Sequence, residues 1–172
     1  MAIHYRTQGF ILKKEDLGEA DRVFTIFTKD FGKLEILGKA IRKIQSKLRG
    51  GMELFYLSEV AFIQGKRYKT FTDAILIDSF PNLRKDLLRL KIAYQIVEVL
   101  DNLIRGEEKD EKIWELLNET LEKLKEKPPE IVYHYFFWNL VSILGYQPEL
   151  RDFTICDKKV SADILEILKA IL

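Results

Sequence analysis

The 172 residues read as an α+β protein with its strands first and its helices second. Three observations carry that reading. Up to residue 80 the apolar residues come in short runs rich in aromatic and β-branched side chains, the types that fill a pleated surface. After Pro81 they recur every three to four residues, the repeat that lines one face of a helix. The early runs are also separated by turn signals built on Gly and Asp: Asp16-Leu17-Gly18, Asp30-Phe31-Gly32, Gly50-Gly51 and Gln64-Gly65-Lys66.

Ile3 to Lys14 is the first strand run, and Arg22 to Lys29 the second, with Val23, Phe24, Ile26 and Phe27 set among threonines. Lys33-Leu34-Glu35-Ile36 alternates polar with apolar, the mark of a strand with one buried face. Leu54 to Ile63 and Tyr68 to Ile77 supply the fourth and fifth. Five short strands leave fewest exposed edges when they close on themselves, and the five-stranded OB-fold barrel is the commonest such closure.

The helical part opens with Leu83, Leu87, Leu90 and Ala93, continued by Ile92, Ile96, Leu100 and Leu103. Ile113, Leu117, Leu121 and Leu124 repeat the stripe, with Glu and Lys on the opposite face. Pro128-Pro129 stops that helix and opens the next. Ile131 to Leu144 is apolar almost all round and is expected to be the central, buried helix. Ser161 is placed to cap a last helix ending at Leu172. The expected organisation is therefore two domains, 1–80 and 81–172.

Composition narrows the function. At 47% hydrophobic and 32% charged, with a net charge of +1, the chain has the balance of a soluble globular protein and not of a disordered or low-complexity one. One cysteine allows neither an internal disulfide nor a four-thiolate zinc site. Met1 to Arg6 lacks the apolar core of a signal peptide. The longest apolar stretch, interrupted by His134, Asn139 and Ser142, is shorter than the roughly 20 residues a membrane span needs. The expected compartment is the cytoplasm, with no membrane partner. Residues 1–80 carry 14 basic and 10 acidic residues, whereas 81–172 carry 14 and 17. A basic front half and an acidic rear half call for different partners.

Catalysis finds little support. His4 and His134, the only histidines, fall in the first strand and the apolar helix. No Ser-x-Gly elbow, phosphate-binding Gly loop or His-Glu-x-x-His occurs. Glu107-Glu108 and Asp110-Glu111 sit in a helix connection, where solvated charge is the ordinary explanation, and Cys156 reads as a structural thiol. Lys39 to Arg49 says more: it holds Lys39, Arg42, Lys43, Lys47 and Arg49 and no acid, and it follows the third strand. Such a loop either tracks phosphates or simply keeps the protein solvated; its place in a small barrel favours phosphates. Lys66, Arg67 and Lys69 form a second basic turn. Of the aromatics in this half, alternation sends most into the core, leaving one or two to stack on bases.

Gly9-Phe10-Ile11-Leu12-Lys13, Gly18-Glu19-Ala20-Asp21-Arg22, Phe31-Gly32-Lys33, Gly38-Lys39-Ala40-Ile41-Arg42-Lys43 and Ser46-Lys47-Leu48-Arg49-Gly50 together resemble, in order and spacing, the N-terminal barrel of the RecO family of recombination mediators. Weaker echoes run through the helices, at Ala93-Tyr94, Glu98-Val99-Leu100 and Leu144 to Leu150. The resemblance implies a non-enzymatic protein that binds single- and double-stranded DNA and anneals complementary strands. It further implies work with a RecR-like protein to load the RecA recombinase, capture of the acidic tail of single-strand DNA-binding protein by the helical domain, and an association with the nucleoid. Carried over by position, the implied DNA contacts are Arg22, Lys39, Arg42, Lys43, Lys47 and Arg49; Lys66, Arg67 and Lys69 are added from charge and placement. Many relatives insert a four-cysteine zinc ribbon after the Pro-x-Leu segment. Here Phe153 stands where a first cysteine is expected and only Cys156 matches, so a compact form without zinc or any other cofactor is expected. Two rivals stand beside this reading: an interaction adaptor whose basic loop binds an acidic peptide, and an enzyme with an unrecognised site.

Overall fold

The computed structural model of the protein describes residues 3–43, 46 and 50–146. Five strands, β1 (His4–Leu17), β2 (Asp21–Thr28), β3 (Gly32–Gly38), β4 (Leu57–Ile63) and β5 (Lys69–Asp78), close into a barrel in the order β1-β2-β3-β5-β4. All pairs are antiparallel except β3–β5, which joins in parallel through Ile36↔Lys69 and Leu37↔Thr70. That order is the OB-fold, as expected from the strand count. Ile11, Phe24, Ile26, Leu34, Ile36, Val60, Phe62 and Phe71 fill the interior, with Ile41 and Met52 from the β3–β4 connection packed into the same cluster.

Strand bounds differ from the sequence expectation where turn geometry decides. The first turn signal begins too early: Asp16 and Leu17 still pair with Arg22 and Asp21, and the reversal spans Gly18 to Ala20, opened by Gly18, whose φ of +63° suits glycine. Leu54, Phe55 and Tyr56 drop out of β4, with Phe55 at a φ of +65° and its ring buried edge-on against Tyr94, 4.8 Å between centroids.

Four helices follow: α1 (Pro81–Lys85), α2 (Leu87–Leu103), α3 (Glu111–Lys123) and α4 (Pro129–Ile143). The stripe that looked continuous from Leu83 to Leu103 is broken at Asp86. Its backbone is extended, and its carboxylate accepts the N–H groups of Leu88 and Arg89, an N-cap that starts α2 afresh. Leu87 is thereby turned outward and is 82% exposed instead of lying on the buried stripe. Asp110 caps α3 in the same way through the Ile113 N–H. α4 packs against α2 and α3 and buries Val132, Phe136, Trp138 and Leu140, but Tyr133, His134, Tyr135 and Phe137 are only partly covered, so it is not buried all round. The tyrosines and His134 can keep their polar ends in water, which apolar periodicity does not distinguish. The expected last helix from Ser161 lies outside the described residues, as does Cys156.

Barrel and helices share a core. Phe10, Leu12, Phe27, Phe55 and Leu57 cluster with Ile96, Leu100, Trp114, Leu117 and Phe136. The Trp114 ring lies 5.1 Å from that of Phe10 and 6.2 Å from that of Phe27. Polar links flank it: Lys33 donates to the Asp101 carbonyl at 2.7 Å and its carboxylate at 3.0 Å, and Lys125 meets Asp78 at 2.8 Å.

Candidate nucleic-acid interface

The basic residues of the β3–β4 connection are held against the β1–β2 hairpin by a set of directed hydrogen bonds. After β3, Gly38 gives Ile41 room to fold inward, since a Cβ there would meet Phe24 at 3.0 Å and Ile41 at 3.2 Å. Ala40 then takes a φ of +50° and donates its N–H to the Asp21 carboxylate at 2.7 Å. The Arg42 N–H bonds the Ala20 carbonyl at 3.1 Å, and its guanidinium bonds the Gly18 carbonyl at the same distance. Lys39, Arg42 and Lys43 therefore stand exposed beside the hairpin tip.

Arg22 joins them from β2. It pairs across the sheet with Asp16 on one side and Gly38 on the other. Its Nε donates to Asp16 Oδ1 at 2.6 Å, while Arg42 approaches Asp16 Oδ2 at 3.5 Å. The hydrogen bond from Arg22, helped by the charges of Arg22 and Arg42, holds the Asp16 carboxyl below its ordinary value against the opposing effect of desolvation. A cleft of about 170 Å³ opens between Arg22, Arg42 and Glu53, floored by Phe24, Ile41 and Met52. Glu53 is itself ion-paired with Lys14.

The second basic turn sits elsewhere. Arg67 and Lys69 border a cleft with Lys33, Glu35, Gln64, Tyr68 and Glu107, so acids from β3 and the α2–α3 connection share it. Lys69 is bound to Glu107 at 2.5 Å and is largely covered, whereas Lys66 and Arg67 are exposed and the Arg67 guanidinium lies 5.5 Å from the Tyr68 ring centre. The structure thus joins Arg22 and Arg42 through Asp16, with Lys39 and Lys43 exposed on the same connection as Arg42, while Arg67 and Lys69 border a different cleft; Lys47 and Arg49 lie outside the described residues.

Of the aromatics, Phe10, Phe24, Phe27, Phe62 and Phe71 are buried. Tyr68 is partly exposed, in a groove lined by Lys13, Asp16, Val23, Thr25 and Glu35 of the barrel and Asp101 of α2. Asp16 was legible only as part of a turn signal. The signal that would have found it is hairpin register: a reversal centred on Glu19 sets Asp16 opposite Arg22.

Residues 1–80 match the family pattern described as Recombination protein O N terminal, and residues 84–169 match Recombination protein O C terminal. A relative from Dehalococcoides mccartyi strain CBDB1, named DNA repair protein RecO, is 37% identical over 161 residues, which cover 93% of this chain and 64% of the relative. Relatives of the same name from Moorella thermoacetica (32% over 159 residues; 92% and 60% of the two chains) and Thermoanaerobacter sp. strain X514 (29% over 156 residues; 90% and 63%) agree. The chain spans a little under two thirds of the length of these curated relatives. Both halves match and the barrel has the expected strand order, so the chain belongs to the recombination protein O (RecO) family.

Proposed function

We propose that this chain is a non-enzymatic DNA repair and recombination mediator that binds DNA at the basic end of its barrel. The observation that carries the reading is the convergence of Arg22, Lys39, Arg42 and Lys43 from β2 and the β3–β4 connection onto one surface of an OB-fold. Phosphates bound there release condensed counterions, and that release drives association without reading sequence. Two complementary strands held against the same positive surface repel each other less, so pairing is accelerated and no covalent step is required. Tyr68 is the aromatic best placed to stack on an unpaired base at the side of this surface.

The helical half carries the protein contacts in this reading. A RecR-like protein and the acidic tail of single-strand DNA-binding protein are its proposed partners, and recombinase loading follows from holding DNA and partner together. Leu87, Leu88, Leu90 and Tyr94 form an exposed apolar groove on α2, with Lys91 at its edge and Lys85 just before it, which fits an apolar tail with acidic groups.

Fluorescence anisotropy with a labelled single-stranded oligonucleotide over a salt series tests the reading. Four contacting cations predict a slope of about −3 in log K against log salt concentration. Arg42→Glu, Lys43→Glu and Lys47→Glu combined abolish binding while the circular dichroism spectrum stays unchanged. Wild-type affinity in that variant removes the site; no binding by the native chain at low salt removes the DNA reading and leaves an adaptor.

A further inference from the structure

We propose that Asp16 is a positioning residue for a phosphate clamp formed by Arg22 and Arg42, an inference that rests on the DNA reading above. Its two carboxylate oxygens face two different guanidinium groups, Oδ1 accepting from Arg22 Nε at 2.6 Å and Oδ2 lying 3.5 Å from Arg42 Nη1. The Gly18 carbonyl accepts from that same Nη1 at 3.1 Å. Arg22 stands near the start of β2 and Arg42 in the connection after β3; backbone bonds bring the two segments together, but among the described residues only Asp16 contacts both guanidinium groups. Its carboxylate bridges two like charges that would otherwise repel.

What the bridge leaves free is as informative as what it holds. Asp16 takes the Nε edge of Arg22, and no described residue takes its two Nη groups. On Arg42, Nη1 is occupied, and Nε and Nη2 have no described partner. Each guanidinium is thus held by part of its donor set, its remaining N–H groups have no described partner, and both arginines line one cleft with Glu53. A planar fork with a fixed edge binds phosphate oxygens in a bidentate way, and its affinity improves when its rotamers are already restricted. The ligand class is a phosphodiester of a nucleic-acid backbone, gripped by two arginines at once.

The sign of one substitution separates this role from a bystander's. Asp16→Ala removes a negative charge from beside the bound phosphates, and if Asp16 were only a nearby charge, DNA would bind more tightly. In the clamp, loss of Asp16 lets the guanidinium groups swing apart, and DNA binds more weakly although net charge has risen. The experiment is the same anisotropy titration on the full chain, with wild type, Asp16→Ala, Asp16→Asn, and Asp16→Ala in an Arg22→Ala/Arg42→Ala background at low salt. The expected result is a loss of roughly five- to twentyfold in Asp16→Ala, with a salt slope shallower by about one contact. Asp16→Asn keeps an acceptor for Arg22 Nε and loses less. In the arginine-free background Asp16→Ala has no weakening effect. Tighter binding by Asp16→Ala overturns the clamp and leaves DNA binding intact. Equal weakening in the arginine-free background also overturns it, because Asp16 then acts by supporting the hairpin in general. A wild-type chain that does not bind fails at the earlier reading, which these outcomes keep distinct.

Discussion

At Gly32 the chain enters β3 with a φ of +66°, and the space a side chain would need is already occupied. A Cβ there would lie 2.2 Å from the Glu108 carbonyl oxygen and 2.7 Å from its carbon, both backbone atoms of the α2–α3 connection. The turn itself is secured by Thr28, whose hydroxyl donates to the Gly32 carbonyl at 2.8 Å and accepts the Phe31 N–H at 3.1 Å. Gly32→Ala therefore carries two costs, left-handed backbone strain and a backbone-to-backbone clash. Their sum is expected to be about 2–4 kcal/mol in urea denaturation. A loss below about 0.5 kcal/mol would mean that the 106–108 segment moves away freely. The glycine's turn was legible as Asp30-Phe31-Gly32, because turn chemistry is local. Its second role was not, because Glu108 is distant in sequence and enters only when the helices fold back on the barrel.

The strand-to-helix joint shows the same division at the level of elements. Phe80 adopts a φ of +45° and is fully buried, its N–H held by Asp78 Oδ1 at 2.7 Å. Lys125, just beyond α3, bonds Asp78 Oδ2 at 2.8 Å and places its ammonium 4.6 Å from the Phe80 ring centre. Burial pushes the Asp78 carboxyl up, but Lys125 and the Phe80 N–H outweigh it, and its pKa lies below the ordinary value. A carboxylate whose pKa is lower in the folded state stabilises the fold above its unfolded pKa and ceases to do so as pH falls through the folded one. Asp78→Asn keeps an acceptor for Phe80 and loses the charge. It is expected to cost about 1 kcal/mol at neutral pH, with the difference from wild type closing as pH drops from about 5 toward 2. Thermal melts of both proteins across that range check this; a constant gap would show that the charge is not the source. Lys125 is raised by the same pair once its own desolvation is overcome, so its titration lies far above this window. Element types were legible here from the change of period at Pro81. The break at Asp86 was not, because a leucine stripe persists across it while a single side chain recaps the helix.

Taken whole, the molecule separates its charge and joins its core. The front half carries 14 basic against 10 acidic residues and the rear half 14 against 17, and the sequence alone displays that division. Which cations converge was only partly legible: Lys39, Arg42 and Lys43 are close in sequence, but Arg22 joins them through sheet register, and Lys69 is withdrawn by Glu107 from the following helix connection. The core shows the opposite pattern, for it crosses the change of period. Phe10 and Phe27 turn away from the barrel interior and pack on Trp114, with Leu12, Phe55 and Leu57 alongside helical residues. A barrel released from the helices would expose these side chains to water, at roughly 1.5–3 kcal/mol for each large apolar group. The expected consequence is one cooperative transition, with amides of Ile26 in β2 and Leu117 in α3 exchanging through a common global opening. Trp114→Ala, expected to cost about 3–5 kcal/mol, should lower protection in β2 and α3 together. If native-state hydrogen exchange instead found β2 protected and α3 open in that variant, the barrel would stand alone. The helices would then be a separately docked unit, free to open while the barrel stays folded.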